Sequence, residues 1–477
     1  MSCPARSLEA FPVRQSPLGN ILIIWLQVCY FLLLFVVHVL ILDPITIKTP
    51  LPPGVAPYMY GLYPKLVTLS TSVIVGMLVL AVAFLSGWRP RFRPDRRNLL
   101  RWGSFALLFL WVLGTALLRR GDPFLVFHGP ISRADGAAVQ LMWFALAPLT
   151  YLVATVRGFN PRVAVGALLS GGALTACWIL LQNFGIEPLK LLNDQLAARH
   201  AVGGLGNRGP ASAYIAIVLA FVLFNSSAAK PLFGPIVRLP LLALFGAALA
   251  TMPTRTTWVV LAALLLVWAL TRVVTRDWIL LRRWMVAFAF SAVGFVAILL
   301  IPSGDTERTR VSVADAVGDG SMAYRLTTLR VAGRVITARP LTGYGAGGFK
   351  AQLWKQATPP EAATILRLAG VKKEGHSYYQ VDEAGHKIYM ALDQLESDKV
   401  HNYLADYAVE SGLPMVLALV LFAGASLLSA LSGSGRVGVD LALALLIYIG
   451  YGLTWFAIPT VESVVWALLG LALALNR

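Results

Sequence analysis

Residues 19–42 read GNILIIWLQVCYFLLLFVVHVLIL, a run that contains no Asp, Glu, Lys or Arg. An α-helix needs roughly 20 such residues to cross the hydrocarbon core of a bilayer. The chain contains about twelve predominantly apolar runs, so we predict about twelve transmembrane helices. The predicted spans are 19–42, 64–87, 100–118, 137–156, 161–184, 210–228, 237–252, 255–272, 283–302, 402–432, 437–457 and 460–475.

The composition supports the same class. Hydrophobic residues make up 57% of the 477 residues, charged residues only 13%, and the mean hydropathy is +0.71. A soluble globular protein has about 25% charged residues. We therefore predict an all-α polytopic membrane protein in three parts. Residues 1–302 hold the first nine spans, 303–401 form one large hydrophilic segment with short helices, and 402–477 hold the last three spans.

Basic residues are concentrated in alternate loops. They lie at Arg89–Arg97 between the second and third spans, at Arg272–Arg283 between the eighth and ninth, and at Arg436 between the tenth and eleventh. Short basic loops stay in the cytoplasm, which places both termini there as well. The net charge of +17 is thus spread over loops. It forms no domain-sized patch for nucleic acid, whereas anionic membrane lipids are expected partners.

The opposite loops, including 303–401, are then extracytoplasmic. Within that segment apolar residues recur every three to four positions over 322–338, which predicts an amphipathic helix. Pro340 ends this helix. The glycine-rich stretch 343–349 follows as a turn near the membrane.

Four polar residues lie on this extracytoplasmic side at the ends of predicted spans or in the large segment: Arg208, Arg255, Arg325 and His401. An arginine at membrane depth is costly and commonly faces a partner or a water-filled cavity. Arg255 could instead be an end anchor that reaches for the headgroups, and Arg208 a residue of a helix-start loop. Imidazole side chains in general titrate near neutrality, so His401 can accept a proton from an attacking hydroxyl.

These residues and their neighbours, in this order, resemble the O-antigen ligase and polymerase superfamily from about residue 200 to 415. Thr254 stands where the family commonly has serine, and Arg208 stands where many members have asparagine after a proline. The matching motifs are Gly206-Asn207-Arg208, Thr254-Arg255, Arg325, Pro340-Leu341-Thr342-Gly343-Tyr344-Gly345-Ala346-Gly347-Gly348-Phe349, His401-Asn402-Tyr403-Leu404 and Glu410-Ser411-Gly412-Leu413-Pro414.

The resemblance implies transfer of a glycan from undecaprenyl pyrophosphate at the periplasmic face of a bacterial inner membrane. Ligases use lipid A–core as acceptor, polymerases another lipid-linked glycan, and O-oligosaccharyltransferases a protein hydroxyl. The single hydrophilic block before His401 and the Asn-Arg variant favour ligation. The donor is already activated, so no cofactor, metal or nucleotide is expected.

In this scheme His401 is the catalytic base and Arg255 a catalytic residue, while Arg208, Arg255 and Arg325 bind the pyrophosphate. A direct displacement inverts the anomeric centre. Glu410 lies about 900° around a helix from His401, so it is interpreted as structural. A lipid-linked glycan transporter is an alternative, but it would carry its charges near the bilayer midplane with repeat symmetry. In a transporter or a membrane scaffold, His401 would be replaceable.

Overall fold

The structure is a computed structural model and is mostly helical. It describes residues 17–40, 59–90, 96–119, 122–129, 135–156, 158–186, 202–205, 207–226, 231–252, 254–301, 321–375, 377–381, 385–392 and 399–475. A helix coincides with each of the predicted spans. The helices up to residue 300 are α1 Pro17–Leu32 (continued by a π-helical turn Leu33–Val37 and by His38–Leu40), α2 Met59–Leu85, α3 Arg96–Leu118, α4 Pro123–His128, α5 Ala137–Val153, α6 Pro161–Asn183, α7 Arg208–Ser226, α8 Pro235–Ala250, α9 Arg255–Val274 and α10 Trp278–Leu300.

Eight helices in the described part of the chain are long and apolar enough to cross a membrane, and three shorter apolar helices accompany them. Many large apolar side chains point away from the protein, for example Leu110 (63% exposed), Leu266 (60%) and Val293 (64%). Such a surface is stable in lipid but not in water. The chain is therefore a multi-pass membrane protein, and the predicted fold class is confirmed. The sequence also predicts a tight turn at Met252-Pro253-Thr254 between the seventh and eighth spans, and Pro253 lies outside the described residues.

Helix α7 is the central element of the bundle, because its whole apolar window is buried inside the protein. Around it, α8 and α10 approach so closely that their backbones touch at two glycines. A Cβ atom at Gly246 would lie 2.1 Å from Ser291 O, and one at Gly294 would lie 1.9 Å from Ala243 O. Small residues of this kind permit close helix packing in membranes, where hydrophobicity alone does not drive association.

The hydrophilic segment has its own small core. The predicted amphipathic helix is present as α11 Ser321–Ala338. It packs with the rest of the segment around Val331, Val335, Phe349 and Leu353. A three-stranded antiparallel sheet, ordered β1-β2-β3, adds a feature that the all-α prediction did not include. The remaining elements of the segment are α12 Gly348–Gln356, α13 Pro359–Leu368, β1 Lys372–Glu374, β2 Ser377–Val381 and β3 Lys387–Met390.

The predicted tenth span, 402–432, is two helices. The chain forms α14 Tyr403–Ser411, breaks at Gly412, and continues as α15 Leu413–Ser432. Gly412 has φ +84°, and a Cβ atom there would lie 2.0 Å from Leu341 O. The break therefore requires glycine both for its left-handed backbone and for the close approach of the preceding segment. The last two helices are α16 Arg436–Gly452 and α17 Pro459–Ala474.

The glycine-rich stretch after Pro340 holds the end of α14. Tyr344 N donates to Val409 O (2.7 Å), Gly345 N donates to Glu410 O (2.9 Å), and Leu413 N donates to Pro340 O (2.7 Å). The first two bonds satisfy carbonyls at the end of α14, and the third satisfies an amide at the start of α15. The stretch thus joins the hydrophilic segment to the helical bundle, and it fixes where α14 ends.

Candidate active site

Residues 453–458 form the short connection between α16 and α17, and the elements that carry the candidate site residues contact this connection. Its Trp455 and Phe456 rings stack, with centroids 5.2 Å apart. The His401 ring meets both edge-on, at centroid distances of 5.3 Å to Trp455 and 5.3 Å to Phe456. A third ring, Tyr324 on α11, meets His401 at 5.7 Å. Three aromatic rings from two separate segments therefore fix the plane of the imidazole.

Arg325 lies beside the same tryptophan. Its guanidinium carbon is 5.6 Å from the centre of the Trp455 ring, within the range of a cation–π contact. Arg325 follows Tyr324 directly, so α11 presents an arginine and a His401-contacting ring side by side. Arg325 and His401, both predicted from the sequence, therefore contact the same aromatic side chain, Trp455.

Arg208 and Arg255 are the first residues of α7 and α9. Thr254 Oγ1 donates to Arg208 O at 3.5 Å, which joins the two helix starts. Thr454 Oγ1 donates to Thr256 Oγ1 at 2.9 Å, which joins the start of α9 to the 453–458 connection. Helix N-termini carry partial positive charge and unpaired amides, so two of them beside two arginines form an environment that favours an anion.

The start of α7 also packs directly against the connection. A Cβ atom at Gly209 would lie 2.6 Å from the Tyr451 hydroxyl and 3.3 Å from Trp455 Cε2. The four residues singled out from the sequence therefore lie on elements that all contact residues 451–458. Their individual roles in chemistry stay a prediction.

The backbone of His401 is unusual. Its φ is +62°, one of two positive values at non-glycine residues in the described part of the chain. Asn402, the next residue, caps α14 by accepting from Ala405 N (2.9 Å), and its amide donates to Leu453 O (2.9 Å). Left-handed backbone at a non-glycine residue persists only where the surroundings enforce it, and such strain concentrates at functional sites.

A contact with a backbone carbonyl indicates which ring nitrogen of neutral His401 carries the hydrogen. Nδ1 lies 3.3 Å from Lys399 O. A carbonyl oxygen can only accept, so Nδ1 carries the hydrogen in the neutral ring. The lone pair is then on Nε2, which is the form that a general base needs.

A buried charge cluster lies directly before His401. Lys399 Nζ is 2.5 Å from Asp135 Oδ2 and 2.5 Å from Glu410 Oε1, and all three side chains are almost fully buried. Gln140 Nε2 donates to the second oxygen of Glu410 at 2.9 Å. Burial by itself would lower the pKa of Lys399, but Asp135, Glu410 and Asp406 raise it well above its usual range. The lysine is therefore held in its charged form.

Two further bonds fix the chain between Lys399 and His401. Asp406 Oδ1 accepts from Val400 N at 2.8 Å, and Thr328 Oγ1 donates to Val400 O at 3.1 Å. Thr328 lies one turn after Arg325 on α11. The loop that carries His401 is therefore tied to α14, to α11 and, through Asp135, to the residues just before α5. Glu410 bonds to Lys399 and Gln140, which agrees with a structural role. The helical angle used to predict that role was wrong, because α14 begins at Tyr403 and does not include His401.

The sequence analysis missed Lys399, Asp135, Asp406, Tyr324 and Trp455. Lys399 and Asp135 look like ordinary loop residues, and their pairing joins distant parts of the chain. Trp455 offered one signal: it lies at the end of an apolar span on the same predicted side as His401. A tryptophan there is also expected as an interfacial anchor, so position alone does not indicate a site.

Residues 239–420 match the family model described as O-antigen ligase, which confirms the resemblance to the O-antigen ligase superfamily over this part of the chain. The matched segment includes Arg255, Arg325, the glycine-rich stretch and His401. No curated protein matches the chain. The family supports a role in glycan transfer within the membrane, with lipid-linked glycan and acceptor as the classes of substrate.

Proposed function

We propose that this protein transfers a glycan from undecaprenyl pyrophosphate to a hydroxyl of lipid A–core, at the periplasmic face of the bacterial inner membrane. The observation that carries the proposal is the convergence on residues 451–458. A histidine with a basic Nε2, an arginine over Trp455, and two arginine-bearing helix N-termini contact this one segment. The alternating basic loops support a periplasmic location for it.

The chemistry suited to this arrangement is a direct displacement. The acceptor hydroxyl attacks the anomeric carbon as its proton passes to Nε2 of His401, and the bond from that carbon to the pyrophosphate oxygen breaks. Attack from the side opposite the leaving group inverts the anomeric centre. The imidazolium that forms is stabilised by its Nδ1–H contact with Lys399 O and by the surrounding aromatic rings.

The leaving group needs charge neutralisation more than a proton. A guanidinium presents a planar pair of donors to two phosphate oxygens and stays charged at any physiological pH. Arg255 and Arg208 place such guanidinium groups next to the positive N-terminal ends of α9 and α7. Arg325 supplies a third guanidinium to the pyrophosphate from α11. Such preorganised charge acts most strongly where water is excluded.

The glycan profile of a strain that lacks the gene tests the function. Loss of polymer from lipid A together with accumulation of carrier-linked polymer is the expected result. Single-repeat glycans on lipid A would instead indicate a polymerase, and an unchanged lipid A profile with loss of glycan from proteins would indicate a protein O-oligosaccharyltransferase. Restoration of the wild-type profile by a plasmid copy is the control.

Substitution of Arg255 by lysine is expected to reduce transfer about tenfold or more, which corresponds to about 1.4 kcal/mol of transition-state stabilisation. An ammonium keeps the charge but cannot make the paired contact to phosphate. The measurement is kcat/KM for the donor in purified enzyme. Arg272→Lys is the matched control, because Arg272 lies in the last turn of the same helix α9. Equal activity of the two variants would leave Arg255 as an interfacial anchor.

A further inference from the structure

An apolar cavity of about 270 Å³ lies among α15, α16 and α17, immediately beside the candidate site. Its wall includes Tyr403 and Leu404, which follow His401 by two and three residues, and Leu453, whose carbonyl is bound by Asn402. Leu453 begins the connection that carries Trp455. One end of the cavity is therefore formed by residues next to His401 and next to the connection whose Trp455 contacts both His401 and Arg325.

The wall of this cavity is almost wholly apolar, although three of its residues carry polar atoms. Trp466 Nε1 donates to Glu462 at 2.9 Å, the Tyr403 hydroxyl donates to it at 3.1 Å, and the Tyr448 hydroxyl also donates to it. Glu462 is itself fully buried. One buried carboxylate thus draws the polar atoms of three aromatic residues away from the cavity, and leaves their hydrocarbon faces as its lining.

The cavity lies at the lipid-facing surface. Val420, Ile449 and Leu453 line it and are each about half exposed. Gly424 on α15 shapes its wall, and a Cβ atom there would meet no other atom within 4 Å. A hydrocarbon chain can therefore enter from the bilayer without displacing protein.

We propose that this cavity binds the first isoprene units of the donor's polyprenyl chain, an inference that rests on the proposed function. The prenyl chain joins directly to the pyrophosphate. A donor whose pyrophosphate lies among Arg208, Arg255 and Arg325 must therefore begin its chain close to the 453–458 connection. The acceptor hydroxyl of lipid A–core is separated from its acyl chains by an oligosaccharide, so those chains have no reason to start here. The apolar, lipid-facing cavity begins next to this connection, so it can receive the start of the prenyl chain.

Gly424→Leu tests the proposal, because Gly424 lines the cavity and a Cβ atom there has open space around it. Gly103→Leu is the matched control: it lies within another membrane helix, α3, and a Cβ atom there also meets nothing within 4 Å. We expect Gly424→Leu to raise KM about tenfold for an undecaprenyl-pyrophosphate donor. A donor with a methyl group in place of the prenyl chain, which places no isoprene unit in the cavity, should show no change. Gly103→Leu should leave both KM values unchanged.

Two outcomes would overturn the proposal. One is an equal change for the undecaprenyl and methyl donors. The other is a change in KM for the acceptor, which would assign the cavity to an acyl chain. Stabilisation of the detergent-solubilised protein by undecaprenyl pyrophosphate alone separates this proposal from the proposed function. Stabilisation that is lost in Gly424→Leu and kept in Gly103→Leu supports the cavity whether or not transfer is observed. Equal stabilisation of both variants contradicts it.

Discussion

Replacement of His401 by alanine is expected to abolish glycan transfer, with a fall in kcat of about 10² to 10⁴, the range in which general bases contribute. The reason is the loss of the Nε2 lone pair while Arg325 and Trp455 stay in place. Purified protein and a lipid-linked donor provide the measurement. Thermal unfolding in detergent should show that the variant remains folded.

A second variant at His401 separates loss of the base from loss of folding, because the backbone at this position is left-handed. Alanine tolerates φ +62° poorly, whereas asparagine is enriched in left-handed backbone and has no basic nitrogen. His401→Asn should therefore be as inactive as His401→Ala, but better folded. His386→Ala, at an exposed position next to β3, should keep full activity. An active asparagine variant would rule out the general-base role and favour a transporter or scaffold.

Substitution of Lys399 by methionine is expected to have the second largest effect. It leaves Asp135 and Glu410 buried without their shared cation, which costs on the order of 3–5 kcal/mol. The loop that carries His401 is also released from Asp135, so activity should fall along with stability. The measurements are the unfolding temperature in detergent and kcat/KM for the donor.

Lys355→Met is the control for lost positive charge, because Lys355 is exposed in the last turn of α12. Addition of Glu410→Gln to Lys399→Met removes one unpaired carboxylate and should restore part of the unfolding temperature. A Lys399→Met protein as stable and active as the wild type would show that the cluster does not position His401.

The helical architecture could be predicted from the sequence, because each membrane span is one continuous apolar run of about the length that crosses a bilayer. Runs such as 161–184 and 255–272 are long, apolar and free of acidic residues, so each coincides with a helix within a few residues. The amphipathic helix at 322–338 was readable for a similar reason, since its period and its terminating Pro340 are both local. The small sheet was missed, because its strands are only three to five residues long.

The break in the span 402–432 could not be predicted from hydropathy. Gly412 and Pro414 are a local signal for the end of one helix and the start of the next, but the apolar sequence continues after them. The break depends on Leu341, which approaches Gly412 from another segment, and on the glycine-rich stretch that bonds to α14. The same limit applies to Lys399, whose burial depends on Asp135, a residue far from it in sequence. Hydrophobic patterns report which face is buried but not which distant charge lies beside it.

Trp455 and Phe456 are synthesised after the other residues of the candidate site. The segments that carry Arg208, Arg255, Arg325 and His401 all leave the ribosome before residues 451–458, against which they pack. Until α16 and the connection after it have been inserted, these segments lack the residues against which they pack in the folded protein. The site therefore assembles only after residues 451–458 have been inserted, and under the proposed function a nascent chain that lacks them is inactive in glycan transfer.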